Sequence, residues 1–187
     1  MKKTIIVVGA GQGLGNHVAE RFGREGYRVV LMARNAESLE NYKAELTAAG
    51  IEVHTHTADA ANPESLTEAI GWAKQGAIFM TGGGLADYPV TGFLPLSIDK
   101  AAIRAMAIAI HDELKPKGIY VGTLTVFGTI GNDSYMSPAR MADTIWQMNQ
   151  QRNVCEVKYE YPEMAGSQFS AQDYWTQVYS LGVKYKE

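Results

Sequence analysis

The stretch TIIVVGAGQGLG, from Thr4 to Gly15, constrains this chain more than any other. Thr4 to Val8 is an unbroken β-branched run, the pattern of a strand buried on both faces. Glycines follow at 9, 11, 13 and 15. A helix then carries Leu14, Val18 and Phe22 at intervals of four and ends near Gly26. Glycine permits a tight turn through positive φ, and the missing Cβ lets an anion come close. The helix behind the turn aims its free N–H groups and positive dipole end at that anion. In this strand-loop-helix setting the loop reads as a cradle for the pyrophosphate of a dinucleotide.

The rest of the chain alternates strands with helices. Tyr27–Ala33 (YRVVLMA) reads as a second buried strand, and a helix from about Glu37 to Ala49 closes at Gly50. Ile51–Thr57 alternates as an edge or half-exposed strand would. Asn62-Pro63-Glu64 is a helix start, with Leu66, Ile70 and Ala73 facing inward. Ala77–Met80 is a short strand running into Thr81-Gly82-Gly83-Gly84. Ser97 to Leu114 reads as a long helix with Ile103, Met106, Ala107, Ile110 and Leu114 on its inner side, stopped by Lys115-Pro116-Lys117-Gly118. Ile119–Val126 is a further strand. Ser137-Pro138 opens a helix carrying Met141, Ile145 and Met148, Cys155–Tyr161 alternates as a last strand, and a final helix begins at Ser170 with Asp173 in its first turn. The order implies one α/β domain over residues 1–187: a Rossmann-like, doubly wound, mostly parallel sheet with helices on both faces.

Composition narrows the function. Apolar residues make up 46% and charged residues 20%, the balance of a globular protein, and the net charge is −3 with no basic run, which gives nucleic-acid binding no electrostatic support. The single cysteine, Cys155, excludes an internal disulfide and fits a cytoplasmic location. The apolar run in MKKTIIVVGA is too short for a secretory core, and no stretch approaches the ~18 apolar residues of a membrane span. His54 and His56 share one strand face without a third ligand, so no metal site is expected. Phe169, Tyr174, Trp175 and Tyr179 suit either a homo-oligomer interface or the cover of a sheet edge.

Three features together resemble the short-chain dehydrogenase/reductase family over roughly residues 2 to 130. They are the Gly9-x3-Gly13-x-Gly15 spacing, Asp59 after the third strand, and the stretch KAAIRAMAIAIHDELKPKGIYV that begins at Lys100. The resemblance implies a nicotinamide dinucleotide held by Gly9, Gly11, Gln12, Gly13, Leu14, Gly15, Asp59, Lys100 and Ile130, and a carbonyl or secondary alcohol as substrate. At the end of the second strand stand Ala33 and Arg34. A carboxylate there would repel a 2′-phosphate, whereas an arginine binds it through two parallel charge-assisted bonds, which favours NADP(H) over NAD(H).

The family's catalytic acid is a tyrosine four residues before the lysine; here that position is Leu96, which has no proton to give. The family's serine falls within Gly82–Gly84, which offer no hydroxyl, leaving Thr81 adjacent. Tyr88 and Tyr135 lie in loops from which a displaced acid could act, and Ser97 reads as a helix cap. Lys100 is then a ribose-positioning residue. The family's mid-sheet strand and following helix, at least ~30 residues, have no counterpart near residues 75–77. Either the chain is a shortened form or the sequence omits that unit; an internal strand is hard to delete, which favours omission. Its loss would force two other strands to pair directly or leave main-chain groups unpaired. The sequence therefore supports an NADP(H)-dependent oxidoreductase-like protein with a degenerate site, or alternatively a non-catalytic NADP(H)-binding sensor or partner-binding protein.

Overall fold

The computed structural model describes residues 2–8, 10–11, 13–58 and 76–186. The strands are β1 (Thr4–Val8), β2 (Arg28–Ala33), β3 (Val53–Thr57), β4 (Ala77–Gly83), β5 (Tyr120–Val126) and β6 (Glu156–Tyr159). They form one sheet in the order β3-β2-β1-β4-β5-β6, and every pairing is parallel. The α-helices among the described residues are α1 (Leu14–Arg24), α2 (Ala36–Ala48), α3 (Leu94–Leu114), α4 (Pro138–Gln151) and α5 (Ala171–Lys184). This is the expected Rossmann-like α/β architecture.

Side-chain alternation along the strands sorts the core into two faces. Phe22 of α1, Phe79 of β4 and Met141, Ile145 and Met148 of α4 belong to the main cluster, with Tyr174 of α5. On the opposite face Ile78 and Val121 pack with Leu114 at the end of α3 and with Ile119 just before β5. Helices α1 and α2 stop before left-handed glycines, Gly26 (φ 82°) and Gly50 (φ 79°), as read from the sequence. Asn35 caps α2 by accepting from the Ser38 amide at 3.0 Å, and Ser170 caps α5 by accepting from that of Asp173 at 3.2 Å.

Several boundaries differ from the sequence reading. β4 runs through Thr81, Gly82 and Gly83, because each pairs with β5 up to Gly83↔Val126. The neighbour's ladder overrides glycine's poor strand propensity. α3 starts at Leu94, three residues early, because Pro95 suits a first turn and a 3₁₀ turn at Thr91–Phe93 leads into it. Ser97 is therefore inside the helix, and its hydroxyl donates to the Phe93 carbonyl at 3.0 Å instead of capping. Met106, expected on the inner side, is exposed, whereas His111 is buried with Nδ1 2.6 Å from the Val121 carbonyl. Cys155 precedes β6 and is only partly buried. The expected helix over Asn62–Ala73 lies outside the described residues. β1 pairs directly with β4, Ile5↔Ala77 to Val7↔Phe79, so the ladder is continuous across the centre of the sheet.

Candidate functional site

The C-terminal ends of β1, β2, β4 and β5 place the candidate residues at one edge of the sheet, where ligands of open α/β sheets bind. Of the glycine loop, Gly9 and Gln12 lie outside the described residues, as does Asp59. The described loop glycines do not use the positive φ expected of them: Gly13 has φ −91°, and neither Gly11 nor Gly15 is among the positive-φ residues. What Gly13 provides is room, since a Cβ there would meet nothing within 4 Å. It precedes α1, whose start has no side-chain cap and no acidic residue in its first turn. The first amides of α1 thus face the loop without a competing carboxylate. Leu14 is buried beneath them, and Gly15 lines a cavity of about 40 Å³ with Ile6, Phe79, Thr81 and Ile145.

Arg34 follows β2 and is exposed; among the described residues its guanidinium has no hydrogen-bond or ion-pair partner. Other arginines are committed: Arg21 to Glu25 and Asp143, Arg28 to Glu52, and Arg104 to Glu156.

Lys100, on α3, bends back over the end of β4. A Cβ on Gly83 would lie 3.1–3.3 Å from its Cδ, Cγ and Cε, and its Nζ donates to the Thr81 carbonyl at 3.1 Å. Burial lowers its pKa from the ordinary lysine value, and Asp99 pulls the other way. The neighbouring glycines are equally enclosed. A Cβ on Gly82 would come within 2.8 Å of Thr125 Oγ1, and one on Gly84 within 2.5 Å of the Phe127 ring. The TGGG stretch therefore has no room for a serine unless Lys100, Thr125 or Phe127 moves. Thr81 meets Lys100 through its main chain, while its residue lines the cavity shared with Leu14 and Gly15.

The two candidate tyrosines are occupied elsewhere. Tyr88 stacks on Tyr174 with ring centres 4.0 Å apart, and its carbonyl accepts from Trp175 Nε1 at 2.9 Å. Tyr135 donates its hydroxyl to the Glu160 carbonyl at 3.1 Å beneath the Arg140 guanidinium, and burial raises its pKa. Leu96 is 43% exposed and Ile130 36% exposed.

A polar network absent from the sequence reading surrounds Lys100's helix. Arg104 grips Glu156 through Nε (2.8 Å) and Nη2 (2.7 Å), and Thr125 donates to the same carboxylate. The Arg104 bonds hold the Glu156 pKa below the usual carboxylate range. Lys158 pairs with Asp87 at 2.6 Å. Further along, Asp133 accepts from Tyr161 (2.6 Å) and from the Met136 amide (2.8 Å), fixing the loop after β5. The sequence signal for Arg104 was its position one turn beyond Lys100; Glu156 and Lys158 share a face in the last alternating strand.

The family model for short chain dehydrogenases matches residues 3–78. A short-chain dehydrogenase of Aspergillus terreus is 30% identical over 95 residues, 43% of this chain and 30% of that protein. An uncharacterized oxidoreductase of Staphylococcus aureus is 37% identical over 83 residues, 44% of this chain and 33% of that protein. Over these residues the chain is similar to short-chain dehydrogenases. The match spans about 30% of the length of the Aspergillus terreus relative. Among solved structures, a short-chain dehydrogenase from Rhodopseudomonas palustris superposes with a TM-score of 0.70 at 24% identity, over 85% of this chain and 98% of that one. One from Sphingobium yanoikuyae, solved in complex with NADPH, gives 0.66 at 19% identity over 97% and 95%. Both share the fold of this chain. Among its described residues no cluster of three or more His, Cys, Asp or Glu is placed to hold a metal, and no helix is long and apolar enough to cross a membrane.

Proposed function

We propose that this protein binds NADP(H) across the glycine loop and Arg34. The observation that carries the reading is the exposed guanidinium at the end of β2, which has no partner among the described residues, together with a start of α1 that has no side-chain cap. A 2′-phosphate supplies the partner Arg34 lacks, through two charge-assisted bonds. The α1 amides take the pyrophosphate, and Gly9, Gly11, Gln12, Gly13, Leu14, Gly15, Asp59 and Ile130 complete the cradle by family resemblance. The Lys100 amine, with one proton given to Thr81, retains two for the ribose hydroxyls. The NADPH bound to the Sphingobium yanoikuyae relative supports the same cofactor class.

When bound, the nicotinamide supplies or accepts the hydride. The chain's part is orientation of a small carbonyl or alcohol substrate near Lys100. Residues 1–187 form one dinucleotide-binding domain in this reading, and the intact mass of the protein tests whether the family's strand-helix unit near residues 75–77 is deleted or is omitted from the sequence. A second reading, a non-catalytic NADP(H)-binding sensor, is favoured by one set of observations. Leu96 and the enclosed glycines 82–84 provide no hydroxyl, and Tyr88 and Tyr135 are committed to other contacts.

Following NADPH oxidation against a panel of aldehydes and ketones separates the readings. Turnover that falls in Tyr88→Phe or Tyr135→Phe assigns the acid; micromolar NADPH binding with no turnover on any substrate supports the sensor. Absence of NADPH binding defeats both.

A further inference from the structure

The loop over residues 84–93 joins β4 to α3 and meets the candidate site at both ends. Before it stands Gly83, on which the Lys100 stem rests; after it comes the opening turn of α3. The loop's own main-chain bonds are local: the Asp87 and Tyr88 amides donate to the Gly84 carbonyl, and the Phe93 amide to that of Val90. Phe93, Leu94, Leu96 and Ile98 are exposed, so burial does little to hold that turn. Further along, α3 is anchored by Arg104 to Glu156 and by His111 to the Val121 carbonyl. What holds the loop comes from the C-terminal part of the chain. Lys158 of β6 pairs with Asp87 at 2.6 Å, Tyr174 of α5 stacks on Tyr88, and Trp175 of α5 donates from Nε1 to the Tyr88 carbonyl at 2.9 Å.

These three ties are unequal. The ion pair is partly exposed, with the Lys158 side chain at 46%, so water and salt weaken it. The ring stack holds a side chain and leaves the main chain free to shift. The indole bond is directional, part-buried and falls on the main chain itself. Among the described residues the Tyr88 carbonyl has no other donor. Trp175 is fixed in turn, in the second turn of a helix whose start Ser170 caps. We infer that Trp175 is a positioning residue: its indole N–H sets the path of residues 84–93, and with it the opening of α3 and the place of the Lys100 amine at the Thr81 carbonyl. The C-terminal helix thereby braces a site built from elements that precede it in the chain. The consequence for nucleotide binding rests on the NADP(H) reading; the bracing of the loop does not.

Trp175→Phe keeps an aromatic ring against Tyr174 and removes the donor alone. Amide hydrogen exchange of the nucleotide-free full chain should quicken about 5-fold over residues 84–96, the effect of one net hydrogen bond, and stay unchanged in β2. Trp146→Phe, at a ring packed on Phe22, should leave residues 84–96 as in wild type. In wild type the Trp175 indole N–H resonance should exchange slowly with water, a readout that needs no variant. NADPH binding should weaken about 3- to 10-fold in Trp175→Phe. It should weaken no further when Trp175→Phe is added to Lys100→Ala, because the indole acts through the amine. Unchanged exchange over residues 84–96, an equal effect of Trp146→Phe, an indole proton that exchanges as freely as in an unfolded chain, or losses of NADPH affinity that add, overturns the inference. If wild type binds no NADPH, the NADP(H) reading fails, and the exchange measurements still decide this one.

Discussion

Glu156→Gln tests whether the Arg104 clamp fixes the helix that carries Lys100. Wild type has two short bonds from one guanidinium, Nε at 2.8 Å and Nη2 at 2.7 Å, to a carboxylate whose side chain is 15% exposed, against 37% for Arg104. Fully exposed pairs contribute up to ~1 kcal/mol and breaking buried ones costs 3–5 kcal/mol. This half-buried pair falls between, at about 2 kcal/mol for removing the charge while keeping shape. For a chain of this size that lowers Tm by about 4–8 °C. The pH dependence has a fixed sign. The Glu156 pKa is depressed in the folded state by the Arg104 bonds first, so its contribution is complete above the ordinary carboxylate range. It fades as pH falls through that range toward the depressed value. Thermal melts of wild type, Glu156→Gln, Arg104→Met and the double variant should give a coupling above ~1 kcal/mol at neutral pH that shrinks in acid. A coupling below ~0.3 kcal/mol, or one that grows in acid, refutes the clamp.

Arg34→Ala should weaken NADPH binding about 10- to 100-fold, the equivalent of ~1.5–3 kcal/mol for charge-assisted bonds, and leave NADH binding unchanged. Melting should stay within about ±0.5 kcal/mol of wild type, since Arg34 is exposed and pairs with no described residue. Leu96→Tyr places a phenol one turn before Lys100 at a 43% exposed position. NADPH oxidation with the best aldehyde should rise at least ~10-fold, a modest share of what a positioned general acid contributes; an unchanged rate counts against the site. Tyr174→Phe removes a buried hydroxyl that has no partner among the described residues. Stability should hold or rise by up to ~1 kcal/mol in a denaturant melt, and a loss above that would show an unseen bond.

The alternation of parallel strands with helices and both glycine-terminated helices were legible because they follow from local signals: β-branched runs, periodicity, and Gly26 and Gly50 as left-handed stops. The start of α3 and the end of β4 were not. Pro95 can end one element or open the next, and Gly82 and Gly83 read as loop until the β5 ladder is known. At the candidate site, the glycine loop and Arg34 were singled out from their places after β1 and β2, and Lys100 from its resemblance to the family's helix. The engagement of Tyr88 with Tyr174 and of Tyr135 with Glu160 arises from contacts 86 and 25 residues apart in the chain, which no short pattern encodes. The same holds for Arg104 and Glu156, 52 residues apart.

Isothermal calorimetry of the purified full chain with NADPH and with NADH tests the central claim most directly. The account predicts saturable micromolar binding of NADPH that is at least ~10-fold tighter than that of NADH, from the contact between Arg34 and the 2′-phosphate. Heat of dilution alone with both nucleotides would contradict it.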